Sequence, residues 1–108
     1  MPARTIRENS MSKRHQYRIT VDHIRNPDGS VPQESAVEFD FASHDDLFRI
    51  IENLKVREDI GPDMAAPLAL GIKLFGGTMM ENRGRELFSG LFPHFSEFMK
   101  KLKGKKPR

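Results

Sequence analysis

His44-Asp45-Asp46 is the most chemically suggestive triplet in the chain, because an imidazole and two carboxylates can ligate hard or borderline metal ions. Consecutive residues at a helix start splay around the axis, however, and cannot all face one ion. The same residues serve as an acidic helix N-terminus, where carboxylates meet the positive end of the dipole. No metal site is therefore expected. The four histidines (His15, His23, His44, His94) show no H-x-x-x-H spacing, and the sequence pairs none of them with a defined acid for general-base work. His94 follows Pro93 amid aromatics and reads as a partly buried polar contact. Gly71-Ile72-Lys73-Leu74-Phe75-Gly76-Gly77-Thr78 resembles a phosphate loop only briefly. That pattern needs Lys at position 77, where this chain has Gly, and it follows a strand rather than lying inside an amphipathic stripe. A packing role for Gly71, Gly76 and Gly77, letting helices approach, accounts for them better. No G-x-S-x-G nucleophile motif is present. Lys73, Arg83 and His94 are the candidates for contacts to an anion or small ligand, with Lys73 and Arg83 as the possible clamp. No catalytic, cofactor-binding or metal-binding residue is assigned, and no cofactor is implied.

The chain that must position these residues has 108 of them, room for one domain. It contains no Cys, which excludes disulfide frameworks, zinc-thiolate sites, iron–sulfur clusters and cysteine nucleophiles. Eight Phe, with many Leu and Ile, keep it out of the disordered class. No apolar run has the length of a membrane span, and Met1–Ser10 lacks the apolar stretch of a secretory signal. A cytoplasmic location is expected.

The net charge of +3 conceals an uneven distribution. Met1–Arg14 carries +3, Lys100–Arg108 carries +6 and the body between them −6. The tail Lys100, Lys101, Lys103, Lys105, Lys106 and Arg108 can hold anions without specificity. It reads more simply as a solvated helix end complementing the C-terminal dipole. Specific nucleic-acid binding is not expected, because no basic stripe marks the body.

Residues 1–14 form a basic extension without periodicity, and Met11 could serve as an alternative start. From Tyr17 the pattern alternates: Tyr17, Ile19 and Val21 point one way and Arg18, Thr20 and Asp22 the other. Asn26-Pro27-Asp28-Gly29-Ser30 is a dense turn signal. Val37, Phe39 and Phe41 then alternate with Glu38 and Asp40, giving an antiparallel hairpin. The acidic face of Asp22, Glu38 and Asp40 reads as solvated.

Ser43 stands three residues before Asp46, close to the S-x-x-[DE] capping pattern, ahead of Leu47, Ile50, Ile51 and Leu54 at helical spacing. Gly61-Pro62-Asp63 restarts the chain with Asp63 as N-cap and Pro67 in the first turn. The stripe Met64, Leu68, Ile72, Phe75, Met79 defines a second helix. Leu87 to Leu102 holds the last, which Gly90 and Pro93 divide into a short turn and a main helix from Pro93. Asn82 to Glu86 is a polar connector. The fold class is α+β: an antiparallel β-hairpin followed by three helices packed on one face of the sheet. The single domain covers residues 15–103, with residues 104–108 as a basic tail. A two-stranded sheet is marginal alone and both its edges are open. A homodimer completing a four-stranded sheet across a two-fold axis is therefore expected.

Tyr17-Arg18-Ile19-Thr20-Val21, His44-Asp45-Asp46-Leu47-Phe48, Leu68 to Gly76 and Phe98-Met99-Lys100-Lys101-Leu102-Lys103 together resemble a family of short bacterial proteins of unknown function. The resemblance covers His15 to Gly104 and implies a compact α+β domain. It brings no activity, cofactor or catalytic residue. Three functional readings follow, in this order. The first is a non-enzymatic dimeric protein-binding or adaptor module, with Met and Phe abundant and no catalytic set visible. The second is a nucleic-acid accessory using the basic tail. The third is a small-ligand binder or enzyme with a site at the sheet–helix or dimer interface, involving Lys73, Arg83 or His94.

Overall fold

Alternating apolar and polar residues build two seven-residue strands, β1 (His15–Val21) and β2 (Val37–Ser43), which pair antiparallel. They belong to a computed structural model that describes residues 13–104. The register sets Tyr17 opposite Phe41, Ile19 opposite Phe39 and Val21 opposite Val37. One face thus carries all six apolar residues that the alternation predicts. The Tyr17 and Phe41 rings lie 5.3 Å apart, tilted. On the other face Arg18 stands opposite Asp40 and Thr20 opposite Glu38. Arg18 Nε donates to Asp40 Oδ1 at 2.9 Å, and the Thr20 hydroxyl donates to Glu38 at 3.1 Å. The face expected to be merely solvated is therefore partnered at two of its three carboxylates, because the register brings a base and a hydroxyl across from them.

The expected turn forms between the strands. Gly29 N donates to the Asn26 carbonyl, and Asp28 Oδ1 accepts from both the Ser30 amide and hydroxyl. Gly29 has φ +93°, the left-handed region that a side chain would strain.

The second unit is helical: α1 (Leu47–Lys55), α2 (Gly61–Glu81), α3 (Glu86–Ser89) and α4 (Phe92–Gly104). The last expected helix is thus a short turn and a main helix, as Gly90 and Pro93 foretell. The cap of α1 differs from expectation. Asp46, not Ser43, is the N-cap, and its carboxylate accepts from the amides of Phe48 and Arg49. Ser43 instead ends β2 and accepts from the Asp45 amide at 3.1 Å. A carboxylate directly before the helix reaches two amides where the more distant hydroxyl reaches none of them.

α2 starts at Gly61 (φ +82°) with Pro62 in its first turn, so Asp63 lies inside the first turn and is not the N-cap. Proline is pre-set for the first helical position, which moves the start back and leaves Pro67 within the helix. The buried residues of α2 are Ala65, Ala69, Gly76 and Met79. The predicted stripe is displaced by one position: of its members Met79 is buried, while Met64 and Phe75 are exposed. Small residues let a neighbouring helix approach closely, so Ala65, Ala69 and Gly76 form the seam with Met79 as its one bulky member. α1 packs along α2 and contributes Leu47 and Leu54 to the core.

The two units divide between Asp45 and Asp46. Apart from residues 13, 14 and 104, the expected N-terminal extension, its alternative start and the C-terminal tail lie outside the described residues.

Candidate functional site

Five residues separate α1 from α2, and Arg57 among them is largely buried, its side chain 13% exposed. Its guanidinium reaches both Asp59 and Leu102. Nε and Nη2 donate to the two carboxylate oxygens of Asp59 at 2.9 and 2.7 Å. Nη1 donates to the carbonyl of Leu102 at 2.7 Å, in the last turns of α4, where helix carbonyls run out of intrahelical donors. One planar fork thus joins the α1–α2 linker to the negative end of α4. The Asp59 hydrogen bonds raise the pKa of Arg57, and the same bonds, reinforced by its charge, hold the Asp59 carboxyl below its ordinary value. A guanidinium does not exchange its proton near neutrality. This cluster is built to hold two segments together, not to move a proton.

Nearer its start, α4 meets α2 at Gly76. A Cβ added there would stand 3.0 Å from Phe95 Cζ, and the Phe95 ring lies edge-on to Phe75, 5.8 Å away. The packing role proposed for three glycines therefore holds for Gly76 alone. Gly71 and Gly77 have nothing within 4 Å of an added Cβ.

The sequence-predicted ligand residues are spread over the helical unit. Lys73 is half-buried on α2. Arg83, in the connector before α3, sets its guanidinium 5.3 Å from the centre of the Phe92 ring, a cation–π arrangement. His94 is exposed on α4, not partly buried as its aromatic neighbours suggested: Phe98, one turn on along the same face, is itself 44% exposed. His23 does find an acid: its Nδ1 lies 3.4 Å from Glu34 Oε2 across the hairpin loop. Both side chains are exposed, so the pair lacks the dry surroundings that sharpen acid–base chemistry. Arg57 was the residue missed. Its one local signal is the Arg-x-Asp spacing to Asp59, and its backbone partner 45 positions on leaves no trace in side-chain pattern.

Of the His44-Asp45-Asp46 triplet, Asp46 spends its carboxylate on the α1 cap. Among the described residues no three His, Asp or Glu side chains are grouped to hold a metal ion. Every buried side-chain nitrogen and oxygen among them has a hydrogen-bond partner. No helix of the described residues is long and apolar enough to cross a membrane.

Two comparisons place this arrangement. A crystal structure of a protein of unknown function from Pectobacterium atrosepticum SCRI1043 superposes with a TM-score of 0.72 at 32% identity, covering 85% of this chain and 99% of that one. No curated protein matches the chain. The family model for a domain of unknown function with a solved structure, DUF3861, matches residues 15–104, the same span over which the residues resembled an uncharacterised family. The hairpin, the helices that follow it and that match agree: this chain belongs to the DUF3861 family.

Proposed function

We propose that the protein is a non-enzymatic protein-binding or adaptor module of the bacterial cytoplasm that works as a homodimer. The observation that carries this reading is the amount of large apolar side chain left in solvent. Thirteen large hydrophobic residues are exposed among the described residues, against five buried hydrophobic ones. Leu87 is 81% exposed, Val56 77% and Phe48 66%. Scattered single residues of this kind are ordinary, but so high a ratio of exposed to buried is what a chain leaves when a partner supplies part of its cover. Among the described residues neither outer edge of the hairpin has a neighbouring strand, which supports the same reading. The bacterial solved relative supports the bacterial setting. Size exclusion with light scattering over a hundredfold concentration range tests it. A mass of two chains is expected, and a mass of one chain throughout overturns the homodimer.

A further inference from the structure

We infer that the self-association surface is the edge of β1 that pairs with no strand among the described residues, set antiparallel against β1 of a second copy about a two-fold axis at Ile19. This rests on the homodimer reading and specifies it. Directly opposed residues of antiparallel strands point to the same face. A self-pairing that keeps both apolar faces on one side of the sheet therefore sets the two-fold at a residue, which faces its own copy.

Few such centres are available, and charge and apolar matching separate them. On β2, a centre at Asp40 sets that carboxylate against its own copy, and a centre at Phe39 sets Glu38 against the partner's Asp40 twice. A centre at Phe41 removes the like charges but puts Phe39 against the partner's Ser43 and Val37 against the partner's Asp45. On β1, a centre at Arg18 opposes two guanidinium groups. A centre at Tyr17 sets Ile19 against the partner's His15 and Val21 against the partner's Lys13. A centre at Thr20 pairs Arg18 with the partner's Asp22 but sets Tyr17 against the partner's His23, so Ile19 alone keeps every apolar residue of β1 opposite another apolar residue without opposing like charges. Tyr17 then meets the partner's Val21, Ile19 meets the partner's Ile19, and Gln16 meets the partner's Asp22, an amide donor facing a carboxylate. On the polar face Arg18 meets the partner's Thr20. That completes a row from Asp40 through Arg18 to the partner's Thr20 and Glu38, using the pairs already formed within each hairpin. Arg18, Thr20 and Val21 are exposed, and the sheet has two strands among the described residues.

The chain has no cysteine, so cross-linking reads out against a clean background. Paired Cα atoms at the two-fold lie about 4.5–5.5 Å apart, inside disulfide range. In the order β2-β1-β1-β2, the two copies of Phe39 lie about 14 Å apart, at three strand spacings, which is outside it. Ile19→Cys under mild oxidation is expected to run mostly at twice the chain mass on a non-reducing gel and to revert with reductant, whereas Phe39→Cys is expected to stay at one. Should Ile19→Cys impair folding, the exposed double substitution Gln16→Cys with Asp22→Cys tests the same register and is expected to cross-link between copies. A two-chain mass by light scattering with neither folded variant cross-linked, or with Phe39→Cys cross-linked instead, overturns the β1 assignment and leaves the homodimer standing. A one-chain mass at every concentration overturns both.

Discussion

Arg57 shows how one side chain can replace a good deal of packing. Its fork satisfies a carboxylate and a helix-end carbonyl together, which an ammonium on a flexible stem cannot reproduce. Arg57→Lys keeps the charge and loses the fork. It is expected to lower the melting temperature and to speed hydrogen exchange in the last turn of α4, with Arg57→Ala doing both more strongly. Unchanged exchange in α4 would show that the Leu102 contact holds nothing in place. Asp59 gives the matching pH dependence. Its carboxyl is held below the ordinary value, first by the hydrogen bonds of Arg57 and then by its charge. The resulting stability is fully present above the ordinary carboxylate pKa of about 3.9 and is lost as pH falls through the lower folded value. Asp28, lowered by the Ser30 amide and then its hydroxyl, behaves with the same sign. Asp59→Asn removes one of the two contributions. Its melting temperature should fall less steeply than the parent's below about pH 4, and parallel curves would mean that solvent screens the pair.

Helix α2 carries the clearest contest between local preference and packing. Alanine is the better helix former at any glycine by about 1 kcal/mol, so Gly77, with open space around its Cα, should gain up to that amount on Gly77→Ala. Gly76→Ala should lose about 1 kcal/mol net in urea titration, because overpacking costs about 1–3 kcal/mol and the Phe95 ring is itself seated against Phe75. Equal gains at both positions would show that the ring yields freely. At the head of α1, Asp46→Ala should cost about 0.5–2 kcal/mol, and Ser43→Ala, which frees one amide outside the helix, should cost less. These elements also show what is legible in a sequence. The hairpin face was readable residue by residue, since period-two alternation has a single solution once Tyr17 and Phe41 share a side. The seam of α2 was not, because a pattern search follows bulk, and Ala65, Ala69 and Gly76 are buried by being small. The α1 cap slid from Ser43 to Asp46 because both residue types can cap and only geometry decides which reaches the amides. Arg57 stayed hidden because its distant partner is a backbone carbonyl, which every residue has.

At the scale of the molecule, the question is how much of its stability belongs to one chain. The interior is slight: five buried hydrophobic residues are found among the described ones, and two of them are alanines. A hairpin of two strands contributes little unless something extends it or covers its apolar face. If a second copy does so, folding is bimolecular and stability rises with concentration by mass action. A hundredfold increase adds RT ln 100, about 2.7 kcal/mol per dimer, which at ordinary unfolding entropies for two chains of this size raises the melting temperature by about 6 °C. Calorimetry across that range should show this shift, and hydrogen exchange at the dilute end should show the β1 and β2 amides losing protection before those of α1 and α2. A melting temperature independent of concentration would mean that the small core and the Arg57 fork suffice for one chain. The exposed Leu87 and Val56 would then be surface held open for a different protein.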